Sequence, residues 1–291
     1  MELYQPVLLS QLTSELGEGA CWWPERKSWC WVDILGHTIY IRDENGHQQA
    51  FDAGTHVTTL VPVAGQNRLI AGLKKGIAFF SPEQGLGELL AVLDDRDQMR
   101  CNDGKCDPAG RLWIGTMQMP AEEGTGTLYC IAGKVAPVVK LSGVTISNGL
   151  VWKGNKMYYN DTHTGTVQEF SYDEATGAIA FTRVAIHIPA ELGCPDGMAM
   201  DSNGMLWIAQ WGGAGGVYCW NPETGELLGK VEVPVPQVSS CAFGGVGMDE
   251  MLITTAREHM TAEQIKEYPL SGSTFHVRLP VKGLPANYFK Y

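Results

Sequence analysis

The chain is a repeat. A unit of about 41–48 residues recurs six times, each with polar anchor residues eight to eleven positions before a short apolar run. Asn102-Asp103-Gly104 precedes Arg111-Leu112-Trp113-Ile114-Gly115, Asn148-Gly149 precedes Lys156-Met157-Tyr158-Tyr159-Asn160, and Asp196-Gly197 precedes Met205-Leu206-Trp207-Ile208-Ala209. Fainter copies join Glu18-Gly19 to Trp29–Asp33, Thr59 to Leu69–Gly72, and Ser240 to Met251–Thr254. Several short strands per unit at this period predict an all-β, six-bladed β-propeller, read as a single domain over residues 1–291. In a propeller the same position of every blade reaches one central channel. Glu18, Asn102, Asn148 and Asp196 then become neighbours although they are far apart in sequence.

The local pattern agrees. Turn clusters such as Asp43-Glu44-Asn45-Gly46, Asp107-Pro108-Ala109-Gly110 and Asp201-Ser202-Asn203-Gly204 separate short apolar runs. Helical signal is confined to a turn or two at Thr261–Lys266, and Glu88–Asp94 is ambiguous. A closed ring must join its ends, so a strand near Val7–Leu12 is expected to pair with one near Thr274–Leu279, removing two exposed edges. The formal charge of −11 argues against nucleic acid or an anionic membrane as partner and is compatible with a cation. The eight cysteines contain no CxxC pair and several lie in apolar runs, which predicts free buried thiols. The N-terminus lacks the pattern of a secretory signal and no apolar stretch is long enough to span a membrane, so a cytoplasmic protein, monomeric or weakly self-associating, is expected.

Asn-Gly and Asp-Gly taken singly are turn dipeptides. Here they recur at one phase, and the residues that follow, Leu150-Val151-Trp152 and Met198-Ala199-Met200, are apolar like buried inner strands. A glutamate, an aspartate and an asparagine converging on a channel would offer hard oxygen ligands with positions left open for substrate. No Gly-x-Ser-x-Gly elbow, His-Glu-x-x-His or Gly-x-Gly-x-x-Gly motif competes with this reading. His163 reads as a loop histidine and Cys194 as a neighbour of Asp196 rather than a ligand. Asp161 is either a support for the site or a cap on its strand.

The same segments resemble the SMP-30/gluconolactonase/LRE family. The resemblance is carried by Leu16-Gly17-Glu18-Gly19-Ala20, by Arg100 through Met117, by Ser147-Asn148-Gly149-Leu150 with Tyr158–Thr162, by Pro195-Asp196-Gly197-Met198, and by Ser239 through Gly245. It implies a lactonase, a hydrolase of sugar lactones of the gluconolactone or pentonolactone type, with one divalent cation (calcium, zinc, manganese or magnesium). Glu18, Asn148 and Asp196 would be metal ligands, Asp196 also the general base, and Arg100 and Asn102 substrate contacts. Where animal members carry an acidic substrate contact shortly after Gly-Thr-Met, this chain has Gln118, with Glu122 and Glu123 a few positions on. The competing readings are a non-enzymatic calcium- or protein-binding propeller, and a hydrolase of phosphotriesters or aryl esters.

Overall fold

The computed structural model describes residues 1–291. Six sheets are arranged as the blades of a β-propeller, each an antiparallel meander. The innermost strands are Gly17–Trp23, Val57–Pro62, Met99–Cys106, Ser147–Lys153, Cys194–Met200 and Val238–Gly244, in blades one to six. Each packs beside the next, and the sixth returns to the first. The ring closes as the sequence leads one to expect: Val7–Ser10 forms the outer strand of the sixth blade, antiparallel to Thr274–Arg278. One strand was not anticipated. Glu2–Tyr4 runs parallel to Gly229–Val231 and adds a fifth strand to blade five. The N-terminus therefore stitches two blades, and the outer edge of blade five is covered.

Six apolar clusters hold the ring, one in each gap between blades. The closing gap, between blades six and one, has the smallest, with five buried residues of which three are tryptophans: Trp22, Trp29 and Trp31. Large aromatic area there offsets the small number of side chains. Turn chemistry is tied to the core in a repeated device. Asp107 accepts the backbone N–H of Arg111 (2.9 Å) and the indole N–H of Trp113 (2.9 Å). Asp201 does the same for Met205 (3.0 Å) and Trp207 (3.0 Å) two blades later. The ambiguous segment around Glu88 belongs to the outer strand Gly85–Val92. Ala262–Glu267 is the one α-helix, started by a capping box between Thr261 and Gln264. All eight cysteines are free, and no helix is long and apolar enough to cross a membrane.

The last residues cross one face of the ring. Leu284 N–H donates to Met200 O of blade five (2.9 Å), Asn287 Nδ2 to Cys106 O of blade three (3.1 Å), and Phe289 N–H to Pro62 O of blade two (2.8 Å). This strap lies over the channel mouth formed by the C-terminal ends of the inner strands.

Candidate functional site

Every inner strand breaks register with its neighbour at the same place: between Glu18 and Cys21, Val57 and Thr59, Cys101 and Gly104, Asn148 and Leu150, Pro195 and Met198, and Val238 and Ser240. Each break is a β-bulge, which turns a side chain out of the ladder and towards the channel. The repeat thereby sets Glu18, Thr58, Asn102, Asn148, Asp196 and Ser239 in one layer. The glycines that follow three of them are not hairpin turns, because they lie within strands. Gly19 and Gly149 have φ of +61° and +20°. A Cβ on Gly149 would come within 2.8 Å of the Asp196 carbonyl oxygen, and one on Gly197 within 2.8 Å of Ser240 Cα. Glycine at these positions lets the next blade's backbone approach the bulge.

Hydrogen bonds carry this layer from blade to blade. Thr58 Oγ1 donates to Asn102 O (2.9 Å). Asn102 Nδ2 donates to Ser147 O (2.7 Å) and to Asn148 Oδ1 (3.0 Å). Asn148 Nδ2 donates to Thr162 Oγ1 (2.8 Å), which in turn donates to Pro195 O (2.8 Å). Asn160 Nδ2 donates to Asp196 O (2.8 Å). Both amide groups are thus fixed, with Asn148 Oδ1 placed as an acceptor. Arg100, 5% exposed, donates from Nη1 to Asn102 Oδ1 and to Cys101 O.

Glu18 and Asp196 are both buried and their carboxyls are within hydrogen-bond reach of each other. Burial, and next the charge of Asp103, push Glu18 up to about 8, against the Gly19 N–H and the Arg100 charge. Asp196 is held well above the carboxylate range by burial and then by Glu18 and Asp103. Its Oδ1 is buried without a hydrogen-bond partner, as is Oδ2 of Asp103. Two adjoining carboxyls cannot both ionise in such a place unless positive charge joins them. Arg100 supplies part of it, yet burial lowers its own pKa. No three His, Cys, Asp or Glu side chains converge as a metal-ligand set. The donors on offer are two carboxylates and an amide oxygen, all hard, and they fit a divalent cation of the calcium or magnesium kind.

The structure brings Glu18 to Asp196, and Arg100 and Asn102 to Asn148. Gln118 lies at the end of the second strand of blade three, opposite Met99, and donates from Nε2 to Glu122 Oε2 (2.6 Å). The amide and the displaced acid therefore form one exposed pair, while the residue opposite Arg100 in the ladder is Met117. His163 is exposed, 4.0 Å from Glu123 and apart from the buried layer. Cys194 is exposed at the start of the strand that carries Asp196. Asp161 accepts the N–H groups of Thr145 and Ile146, both at 2.8 Å, and so anchors the segment leading into Asn148. Sequence reasoning missed Thr58, Asn160 and Thr162, whose bonds are to neighbouring blades. The recurring phase in sequence points to Thr59 and Ser240, and the register breaks move it by one residue, to Thr58 in blade two and Ser239 in blade six, where Glu18 stands in blade one. His56 occupies the position in blade two that Arg100 occupies in blade three, and its ring packs on His37 at 4.8 Å.

A family profile described as the SMP-30/Gluconolactonase/LRE-like region matches residues 16–257. YvrE of Bacillus subtilis, named provisionally as a sugar lactone lactonase, is 34% identical over 281 residues, covering 95% of this chain and 96% of the relative. Regucalcin of Gallus gallus is 34% identical over 279 residues, 93% of each chain. The crystal structure of a calcium-binding protein, regucalcin, from Agrobacterium tumefaciens superposes with a TM-score of 0.93 at 26% identity and covers 100% of both chains. With the profile spanning all six bulged strands and relatives aligned nearly end to end, the chain belongs to the SMP-30/gluconolactonase/LRE-like family.

Proposed function

We propose that this protein is a divalent-cation-dependent lactonase that opens small sugar lactones at the end of its channel opposite the C-terminal strap. The observation that carries the reading is the pair of buried carboxyls, Glu18 and Asp196, with Asp196 Oδ1 left without a partner. The family description and the name of the Bacillus subtilis relative point to the same substrate class.

In this reading Glu18, Asn148 and Asp196 hold the cation. When bound, it supplies the positive charge that lets both carboxyls ionise and that draws electrons from a lactone carbonyl. Asp196 then accepts a proton from the attacking water. Arg100, oriented through Asn102, presents its remaining N–H groups to ring or hydroxyl oxygens, a geometry suited to paired acceptors. Gln118 and Glu122 offer a donor and an acceptor to substrate hydroxyls at the rim. The lactone carbon–oxygen bond breaks with the proton passing to the departing ring hydroxyl, and no covalent enzyme intermediate is required.

A pH-stat panel of glucono- and pentonolactones, crossed with calcium, zinc, manganese and magnesium, tests this. Turnover is expected only with added cation, is abolished by EDTA, and falls by roughly 10²–10⁴-fold in Asp196→Ala. Activity that survives both EDTA and the substitution would refute the reading. A protein that binds calcium but opens no lactone at any metal loading would instead be a calcium-binding propeller.

A further inference from the structure

Past the bulges the inner strands enclose a second space. A cavity of about 330 Å³ occupies the channel between the carboxylate layer and the C-terminal strap, within the size range of small-ligand sites. Glu18, Asn102, Asn148 and Asp196 do not line it. Its wall is mostly apolar, with Trp22, Leu60, Val151, Met200 and Phe243, and Leu284–Asn287 closes its far side.

Two charged residues lie in this wall, Asp103 and Lys105. They differ in what they offer. Asp103 Oδ1 accepts the Gly104 N–H (2.8 Å) and its Oδ2 is fully enclosed. Lys105 is only partly buried and reaches across the channel from blade three to donate to Met198 O of blade five. An ammonium has three N–H donors, so two remain for the cavity. An apolar chamber with one accessible ammonium at its inner end has a definite complement. A sugar would leave hydroxyls unpaired against the apolar wall. A cation would be repelled by Lys105, and because Lys105 is the one cationic side chain in the wall, a dianion would be left with a second charge unpaired against apolar surface.

We propose that this chamber is a second ligand site, on the channel side opposite the carboxylates, for an amphipathic monocarboxylate. The alkyl or aryl body fills the apolar chamber, and the single negative charge meets Lys105 Nζ. The site is independent of the lactonase reading, since neither the cation nor the lactone takes part.

The probe is 3-phenylpropionate, titrated into the full-length protein by calorimetry and by tryptophan emission, because Trp22 and Trp152 line the chamber. Its neutral counterpart, 3-phenyl-1-propanol, and the variant Lys105→Met, which keeps the stem of the side chain, complete the set. Saturable one-to-one binding of the acid in EDTA is expected, with the alcohol weaker by about tenfold or more. Lys105→Met should bring the acid down to the alcohol's affinity without changing the alcohol. Absence of saturable binding, equal affinity for acid and alcohol, or undiminished binding by Lys105→Met would overturn the proposal. Binding that requires calcium and ignores the Lys105 substitution would place the acid in the carboxylate layer and overturn it equally. Should the variant fail to fold, the comparison of acid with alcohol on the unaltered protein decides alone.

Discussion

Glu18→Gln should make the cation-free protein more stable and the cation-loaded protein less so. The carboxyl of Glu18 is pushed from its ordinary 4.5 up to about 8, first by burial and then by Asp103. An acid raised in this way favours the fold fully below pH 4.5 and loses that contribution as pH climbs towards 8, because the unfolded chain releases a proton that the folded chain keeps. Holding the group neutral at pH 7.5 against an unfolded value near 4.5 costs about 4 kcal/mol, at roughly 1.4 kcal/mol per pH unit. Glutamine has nearly the same shape and no charge to suppress. In EDTA at pH 7.5, Glu18→Gln should therefore melt higher, by on the order of 8 °C for a chain of this size. At pH 4.5 the two proteins should melt together. Saturating calcium should raise the melting temperature of the unaltered protein and leave the variant nearly unmoved, since a ligand stabilises only the form that binds it. Differential scanning calorimetry at both pH values, with and without calcium, reads all of this. If Glu18→Gln melts lower than the parent in EDTA at pH 7.5, buried like charge is not what governs this layer, and the argument for a cation there fails.

Three further outcomes follow from single contacts. Gly149→Ala places a methyl group within 2.8 Å of the Asp196 carbonyl and 2.9 Å of Met198 Cβ, so calcium affinity by calorimetry and lactone turnover should both fall by about tenfold or more while the fold, followed by circular dichroism, persists. Asp107→Ala removes a fully buried carboxylate and leaves the Trp113 indole N–H and the Arg111 guanidinium without their acceptor, and urea unfolding should register a loss of about 3–5 kcal/mol. His56 is pushed down to about 4, chiefly by burial and then by His37 and Arg100; the fold therefore refuses a proton that the unfolded chain takes near 6.5, and stability is lost as pH falls from there towards 4. His56→Gln should flatten the melting curve against pH in that window, and parallel curves would refute the assignment.

The architecture was legible because a propeller writes its period into the chain. Trp113 and Trp207 occupy the same strand position for the same reason, each bonded to the aspartate that opens its hairpin. Closure was legible too, since Val7 and Thr274 begin apolar runs at the two ends of a ring that needs an edge partner. The parallel addition of Glu2–Tyr4 was not, because three residues carry no periodicity and the partner strand is more than two hundred residues away.

The site divides along the same line. Glu18, Asn148 and Asp196 stand out in sequence because an acid or amide followed by glycine recurs at one phase. What sequence conceals is why the glycine is there. Taken singly Asn148-Gly149 reads as a turn, and its recurring phase places it in an inner strand, where it is found near the start of Ser147–Lys153; the bulge that turns Asn148 inward, however, exists only relative to the ladder with Lys156–Asp161. Asn160 and Thr162 orient the layer by bonding the main chain of the following blade, so nothing in their own neighbourhood marks them. Lys105 is the limiting case. Two residues beyond Asp103 in a strand, it looks like a solvent-facing charge, and only the closing of six blades turns that outward position into the centre of a channel, where Met198 O meets its ammonium. A repeat fold thus reveals from sequence whatever is set by phase within a blade, and hides whatever is set by the angle between blades.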